Sequence, residues 1–286
     1  MMRTAALLAL ALAAPQDGAV REIKDLAYVD GSDADPVKHK LDLYLPKDAV
    51  KAPVVLWIHG GAWKMGDRSS YGEVGRRFAE SGIGFAAVGY RLSPKVKHPA
   101  HIEDCARAFA WLHANVAKHG GDPDRLFVSG QSAGGHLSAL LALDDRYLKA
   151  LQVPEGAIKG AIPMSGIYTI PALPRETKGL MGMFPEAFGS DPDVCRDASP
   201  THYVARLASP MLVITETQDP GYVRLNAGHL RRAAQQAGVK DIRFMDAEDR
   251  NHFSIVTNLA RKTEDPQRTA MVTFIRERCR TLDGGN

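Results

Sequence analysis

Gly130-Gln131-Ser132-Ala133-Gly134 is the stretch that decides the fold. It has the G-x-S-x-G form of a nucleophile elbow, a sharp turn between a strand and a helix that holds a serine hydroxyl exposed. A serine in such a turn sits in a strained backbone conformation. A β-carbon two residues to either side would collide with the neighbouring strand or helix, so both of those positions are glycine. The flanking sequence fits. Asp124-Arg125-Leu126-Phe127-Val128-Ser129 is a short apolar run after the turn Gly121-Asp122-Pro123, as a buried strand requires. Ala133 to Leu143 is rich in good helix formers and closes on Asp144 and Asp145.

Strand and helix patterns alternate outward from the elbow. Val54 to Ile58 and Phe85 to Tyr90 read as buried strands, with a helix over Tyr71 to Ser81 between them. Ile102 to Ala117 has apolar residues near helical spacing (Ala106, Phe109, Ala110, Leu112, Val116), and Gly120-Gly121 ends it. After the elbow come strands at Ala157 to Met164, Met211 to Thr215 and Ile242 to Met245. A helix spans Gly221 to Ala237, and a final one runs from about Phe253 to Arg280, with a break foreseen at Pro266. Two extended stretches, Glu22 to Val29 and Lys40 to Leu45, precede all of these. The second alternates apolar and polar residues, as an antiparallel strand near a sheet edge does. This order predicts an α/β fold, a mostly parallel central sheet with helices on both faces, whose functional groups gather at the carboxyl ends of the strands.

A serine hydroxyl is a poor nucleophile at neutral pH. It needs a base, an acid to orient that base, and donors for an oxyanion. In an elbow-type sheet the chain order is serine, acid, histidine. Of the ten histidines, His252 alone falls in a loop after the last strand; His229 lies inside a helix pattern and His202 precedes the last two strands. Asp219, at the carboxyl end of the strand Met211 to Thr215, is the expected acid, with Glu216 its rival. Asp246, Glu248 and Asp249 read as solvated charges. The loop after Val54 to Ile58 reads His59-Gly60-Gly61-Ala62-Trp63, where adjacent glycines let N–H groups turn toward a substrate. Gly61, Ala62 and Ala133 are the expected oxyanion donors, with Gly60 able to replace one.

Composition narrows the field. The chain has 286 residues, is 45% hydrophobic and carries a formal charge of +3, too small to suggest a nucleic-acid partner. No apolar run reaches membrane-spanning length. With no linker or repeat, residues 14–286 read as a single domain. Residues 1–13 read as a signal peptide: Arg3 supplies the positive end, Ala5 to Leu12 the apolar stretch, and Ala11-Leu12-Ala13 a small-x-small cleavage site, so export to periplasm or medium is expected. Three cysteines (Cys105, Cys195, Cys279) allow one disulfide at most, and Cys105 reads as a core residue. No pair has metal-ligand spacing. His98-Pro99-Ala100-His101 lacks the glutamate of a zinc-protease motif, and Pro99 marks a loop entering a helix. No metal or cofactor is expected. The sequence leaves the oligomeric state open.

The chain resembles the α/β-hydrolase superfamily. Within it, it is similar to the small carboxylesterases with a His-Gly-Gly-x-Trp oxyanion motif, related to the hormone-sensitive-lipase group, feruloyl-esterase-like proteins and kynurenine formamidases. The resemblance rests on His59 to Trp63 with Gly66-Asp67, Tyr90-Arg91-Leu92-Ser93-Pro94, His98 to Asp104, Gly121 to Arg125, Gly130 to His136 and Asn251-His252-Phe253. It departs from the lipase-like branch at Ala62, where a third glycine is common, and the acid segment reads Glu216-Thr217-Gln218-Asp219 instead of the more usual Gly-x-x-Asp. Residues 167–200 resemble an inserted cap rich in proline, carrying Tyr168, Met181, Met183, Phe184 and Phe188. The resemblance implies a serine hydrolase that cleaves small acyl or aryl carboxylic esters, with feruloyl or acetyl esters as candidates for an exported enzyme. Trp63, Gln131, Tyr168, Met183 and Phe184 are the expected substrate-binding side chains. An arylformamidase acting on N-formylkynurenine, and a binding module on a dead hydrolase scaffold, are the alternatives.

Overall fold

The computed structural model describes residues 20–171, 183–261 and 263–284. The expected signal peptide lies outside the described residues, as do residues 172–182 of the cap-like segment, Met181 among them. The strands are β1 (Val20–Ala27), β2 (Lys40–Pro46), β3 (Ala52–Ile58), β4 (Gly84–Val88), β5 (Gly121–Gln131), β6 (Ile158–Met164), β7 (Met211–Glu216) and β8 (Ile242–Ala247). They form one sheet in the order β1-β2-β4-β3-β5-β6-β7-β8. β1 and β2 are antiparallel to each other, β2 is antiparallel to β4, and β4 through β8 run parallel. The mostly parallel sheet predicted from the alternating pattern is borne out.

The helices are α1 (Gly72–Glu80), α2 (Ala100–Asn115), α3 (Ala133–Leu143), α4 (Arg146–Lys149), α5 (Met183–Phe188), α6 (Pro192–Asp197), α7 (Gly221–Gln236), α8 (Ser254–Leu259) and α9 (Pro266–Leu282). The period of two in each strand divides the core between the two faces of the sheet. Val54, Leu56, Ile58, Leu126 and Val128 point to one face, where Phe109 of α2, Leu137 and Leu140 of α3 and Leu230 of α7 cover them. Val55, Trp57 and Phe127 point to the other, against Phe78 of α1, Ile255 and Leu259 of α8 and Phe274 and Ile275 of α9. Each of these side chains contributes about 1.5–3 kcal/mol by leaving water.

Sequence and structure differ at element ends. β5 starts at Gly121 and not at Asp124. Ala52 pairs with Gly121, and a register shift absorbs Pro123 before Val54 pairs with Leu126. A β-carbon at Gly121 would lie 2.4 Å from Val116, so glycine lets the 3₁₀ turn that follows α2 pack closely here. The first helix begins at Gly72, after a 3₁₀ turn at Arg68–Tyr71 capped by Asp67. The break foreseen at Pro266 divides the last helix in two: Asp265 caps α9 by accepting from the Arg268 N–H, and Pro266 takes the first helical position, where no N–H is needed. All three cysteines are free and buried.

Asp104, on α2, fixes the chain leaving β4. Its side chain is fully buried and accepts from Arg91 three times: from the backbone N–H at 2.9 Å, from Nε at 2.9 Å and from an Nη at 2.7 Å. His39 Nε2 lies 3.1 Å away and Arg107 3.3 Å. Removing one partner of a buried charge cluster strands the others. Asp104→Ala is expected to cost about 3–5 kcal/mol, read as a drop in the urea unfolding midpoint.

Candidate active site

The elbow has the backbone that the sequence requires. Ser132 has φ 59° and ψ −118°, a left-handed conformation that side chains rarely adopt. Its N–H donates to Met164 O at 2.9 Å and its carbonyl accepts from His136 N at 2.9 Å, so β6 and the first turn of α3 hold the strain. A β-carbon at Gly130 would lie 2.5 Å from Ile58 O, and one at Gly134 only 1.9 Å from the same oxygen. Both glycines are therefore steric necessities.

The loop after β3 lies against this turn. A β-carbon at Gly60 would come within 3.3 Å of Ser132 Cβ. Gly61, Ala62 and Trp63 all have positive φ (114°, 53° and 59°), and the Gly61 carbonyl accepts from both Lys64 N and Met65 N. Among the described residues, the N–H groups of Gly61, Ala62 and Ala133 donate to no protein acceptor. His59 is buried and stacks on Tyr90 with ring centroids 4.3 Å apart; burial lowers it to about 4, so it is neutral.

Trp63 is only 1% exposed. Its indole N–H donates to His136 Nδ1 at 3.2 Å, and His136 Nε2 in turn donates to Ala198 O at 2.7 Å. Burial holds His136 near 3, so the ring is neutral and these partners fix its tautomer. Phe188 and Phe184 pack on the indole at 4.8 and 5.8 Å, and Lys64 pairs with Glu186 at 2.6 Å. The cap-like segment is thus fastened directly to the glycine loop. Sequence reasoning did not single out His136 for this; its place one turn after the serine, facing the tryptophan loop, was the available signal.

On the other side, Asp219 follows β7 and His252 follows β8. His252 Nδ1 lies 3.0 Å from Asp219 Oδ1. Asp219 Oδ2 accepts from the Ser165 hydroxyl at 2.5 Å and from the Glu216 N–H at 3.4 Å. Burial works to raise Asp219, and the hydrogen bonds from His252, Glu216 and Ser165 outweigh it, leaving this carboxyl below the usual range. The rival Glu216 is fully buried beside it. Asp246, Glu248 and Asp249 are exposed, and Asp246 belongs to β8. Gln131 Nε2 donates to the His252 carbonyl at 2.8 Å, tying the histidine loop to the residue before the serine. Among the described residues, no hydrogen bond joins the Ser132 hydroxyl to the imidazole.

Of the other expected substrate-binding side chains, Tyr168 and Phe184 are buried in packing and Met183 is half-buried. Phe253, beside His252, is 79% exposed, and Met65, beside the glycine loop, is exposed as well. Among the described residues, Glu216, Asp219 and His252 bring donor atoms within 4.8 Å of one another. Asp219 and His252 already satisfy each other there, so no ligand role is assigned. No described helix is long and apolar enough to cross a membrane.

Residues 41–231 match the BD-FAE family. Esterase LipQ of Mycobacterium tuberculosis is 30% identical over 211 residues, covering 71% of this chain and 50% of that protein. Esterase LipC of the same organism is 38% identical over 194 residues, covering 63% and 48%. The chain therefore spans about half the length of each. Among solved structures, an esterase of Pyrobaculum calidifontis is 25% identical, with a TM-score of 0.70 over 91% of this chain and 84% of that one.

The indole–imidazole bond generates a stability prediction. Trp63→Phe keeps an aromatic ring among Phe184 and Phe188 but leaves His136 Nδ1 buried without a donor. A loss of about 1–3 kcal/mol is expected in urea unfolding.

Proposed function

Because the chain belongs to the BD-FAE family and has the α/β-hydrolase fold, we propose that it is a carboxylic-ester hydrolase acting through an acyl-enzyme on Ser132. The observation that carries this reading is a strained serine after β5 and a carboxylate–imidazole pair after β7 and β8, linked by the hydrogen bond from Gln131 to the His252 carbonyl. In the mechanism, Ser132 Oγ attacks the acyl carbon while His252 Nε2 takes the hydroxyl proton. Asp219 holds Nδ1–H and stabilises the imidazolium that forms. The N–H groups of Gly61, Ala62 and Ala133 receive the oxyanion, each such donor contributing about 3 kcal/mol to the transition state. His252 returns the proton to the leaving alcohol, and water then releases the acid by the same steps in reverse. The mechanism requires a serine–imidazole hydrogen bond in the substrate complex, where catalytic hydrogen bonds commonly tighten.

Exposed Phe253 and Met65 flank this machinery with apolar surface, which suits small acyl or aryl esters. Feruloyl and acetyl esters remain the first specific substrates to try, with N-formylkynurenine as the formamide alternative; Trp63, Tyr168, Met183 and Phe184 would act on specificity through the shape of the cap.

Ser132→Ala is expected to abolish turnover of p-nitrophenyl acetate while leaving the unfolding midpoint within a few degrees of the parent. Retained turnover would refute the nucleophile. The parent's kcat/KM should fall as the solution is acidified, because an imidazolium cannot accept the serine proton. A panel of acetyl, butyryl, feruloyl and formyl substrates then ranks the acyl classes.

A further inference from the structure

The acid segment holds a second carboxyl that the mechanism above does not use. Glu216 ends β7, three residues before Asp219, where a Gly-x-x-Asp segment would have no side chain at all. It is fully buried, and neither of its carboxyl oxygens has a hydrogen-bond partner among the described residues. One of those oxygens lies within 4.8 Å of an Asp219 oxygen and of a His252 ring nitrogen. The groups facing it are Asp219 from the loop after β7, His252 from the loop after β8 and Tyr168 from the segment after β6.

Two adjacent buried carboxyls cannot both ionise without strong repulsion, and an unpaired buried carboxylate is costly in its own right. The one that ionises is the one with donors. Asp219 has three: His252 Nδ1, the Ser165 hydroxyl and the Glu216 backbone N–H. Glu216 has none. Retaining its proton turns Glu216 from an acceptor without a donor into a donor, and the Asp219 carboxylate is the acceptor within reach. We propose that Glu216 is a positioning residue that keeps its proton and donates it to Asp219, so that the buried pair presents one negative charge to His252. Burial first, and then the neighbouring Asp219, push Glu216 well above the usual carboxyl range, in agreement.

The consequence falls on the base. A donor on Asp219 spreads its charge and makes it a weaker acceptor for Nδ1–H, so it stabilises an imidazolium less than an undonated carboxylate would. Glu216→Gln, which puts an amide N–H in place of the carboxyl proton, would preserve this; a truncated side chain would not. The effect on rate rests on the ester-hydrolase reading, whereas the position of the proton does not.

Two measurements test the proposal separately. The infrared spectrum of the parent at neutral pH is expected to contain a protonated-carboxyl C=O band that Glu216→Gln removes; a band unchanged by that substitution, or no band, would overturn the proposal whatever the activity. In pH profiles of p-nitrophenyl acetate hydrolysis, Glu216→Gln should keep the parent's acid limb. Glu216→Ala should move that limb to higher pH by roughly half a unit to one unit, about half of what one lost hydrogen bond to a charged group is worth, because the change reaches His252 only through Asp219. Were Glu216 ionised, both substitutions would remove a negative charge near His252 and move the limb to lower pH. An acid limb that moves down in either variant, or stays in place in Glu216→Ala, contradicts the positioning role. If the parent hydrolyses no ester, the functional reading fails and the infrared result still decides the proton.

Discussion

The structure turns on the contact between the last carbonyl of β3 and the start of α3. Ile58 O sits where a β-carbon at Gly134 would be 1.9 Å away and one at Gly130 2.5 Å away. At that distance the two strands and the helix touch backbone to backbone, with no side chain between them. The closeness has two effects. It bends the chain so sharply that Ser132 takes φ 59°, which lifts its hydroxyl out of the sheet. It also draws the glycine loop after β3 alongside, so that Gly60 lies against Ser132 and the N–H groups of Gly61, Ala62 and Ala133 are left for a ligand.

Two polar assemblies stiffen the site from opposite sides. On one side, Trp63, His136 and Ala198 form a chain of hydrogen bonds joining the glycine loop, α3 and the segment after α6. The imidazole in that chain is neutral because it is buried, so it works as a fixed donor and acceptor and carries no charge. On the other side, Ser165 and the Glu216 N–H hold the Asp219 carboxylate while Gln131 holds the His252 backbone. The carboxylate–imidazole pair is thereby oriented by groups from β5, β7 and the segment after β6 together. Such preorganisation is what the acyl transfer proposed for this site needs.

Much of this was legible in the sequence because it is local. The elbow's glycines, the strand before it and the helix after it are all within a few residues of Ser132, and α3 spans the residues read from the sequence, Ala133 to Leu143. The break at Pro266 was legible for a similar reason, a ring that only the first helical position tolerates, whereas the Asp265 cap that starts α9 was not read. Chain order alone brought Asp219 and His252 forward, and the structure places their side chains 3.0 Å apart. What stayed hidden was long-range. Gln131 reaches the His252 carbonyl across 121 residues, His136 reaches Ala198 across 62 and Ser165 reaches Asp219 across 54. No periodicity encodes such contacts. Trp63, Tyr168 and Phe184 read as apolar side chains near a site, but whether such residues face a cavity or one another depends on packing, and here they pack. The start of β5 was obscured because Pro123 signals a turn, while the register shift against β3 carries the strand past it.

The central claim is that Ser132 is an activated nucleophile because His252 and Asp219 converge on it. It is tested most directly by reacting the protein with an alkyl fluorophosphonate, then locating the adduct by peptide mass spectrometry and timing its formation. The account predicts a single adduct on the peptide carrying Ser132, formed rapidly in the parent and slowed by orders of magnitude in His252→Ala. An unmodified Ser132, or one labelled equally fast without the imidazole, would contradict it.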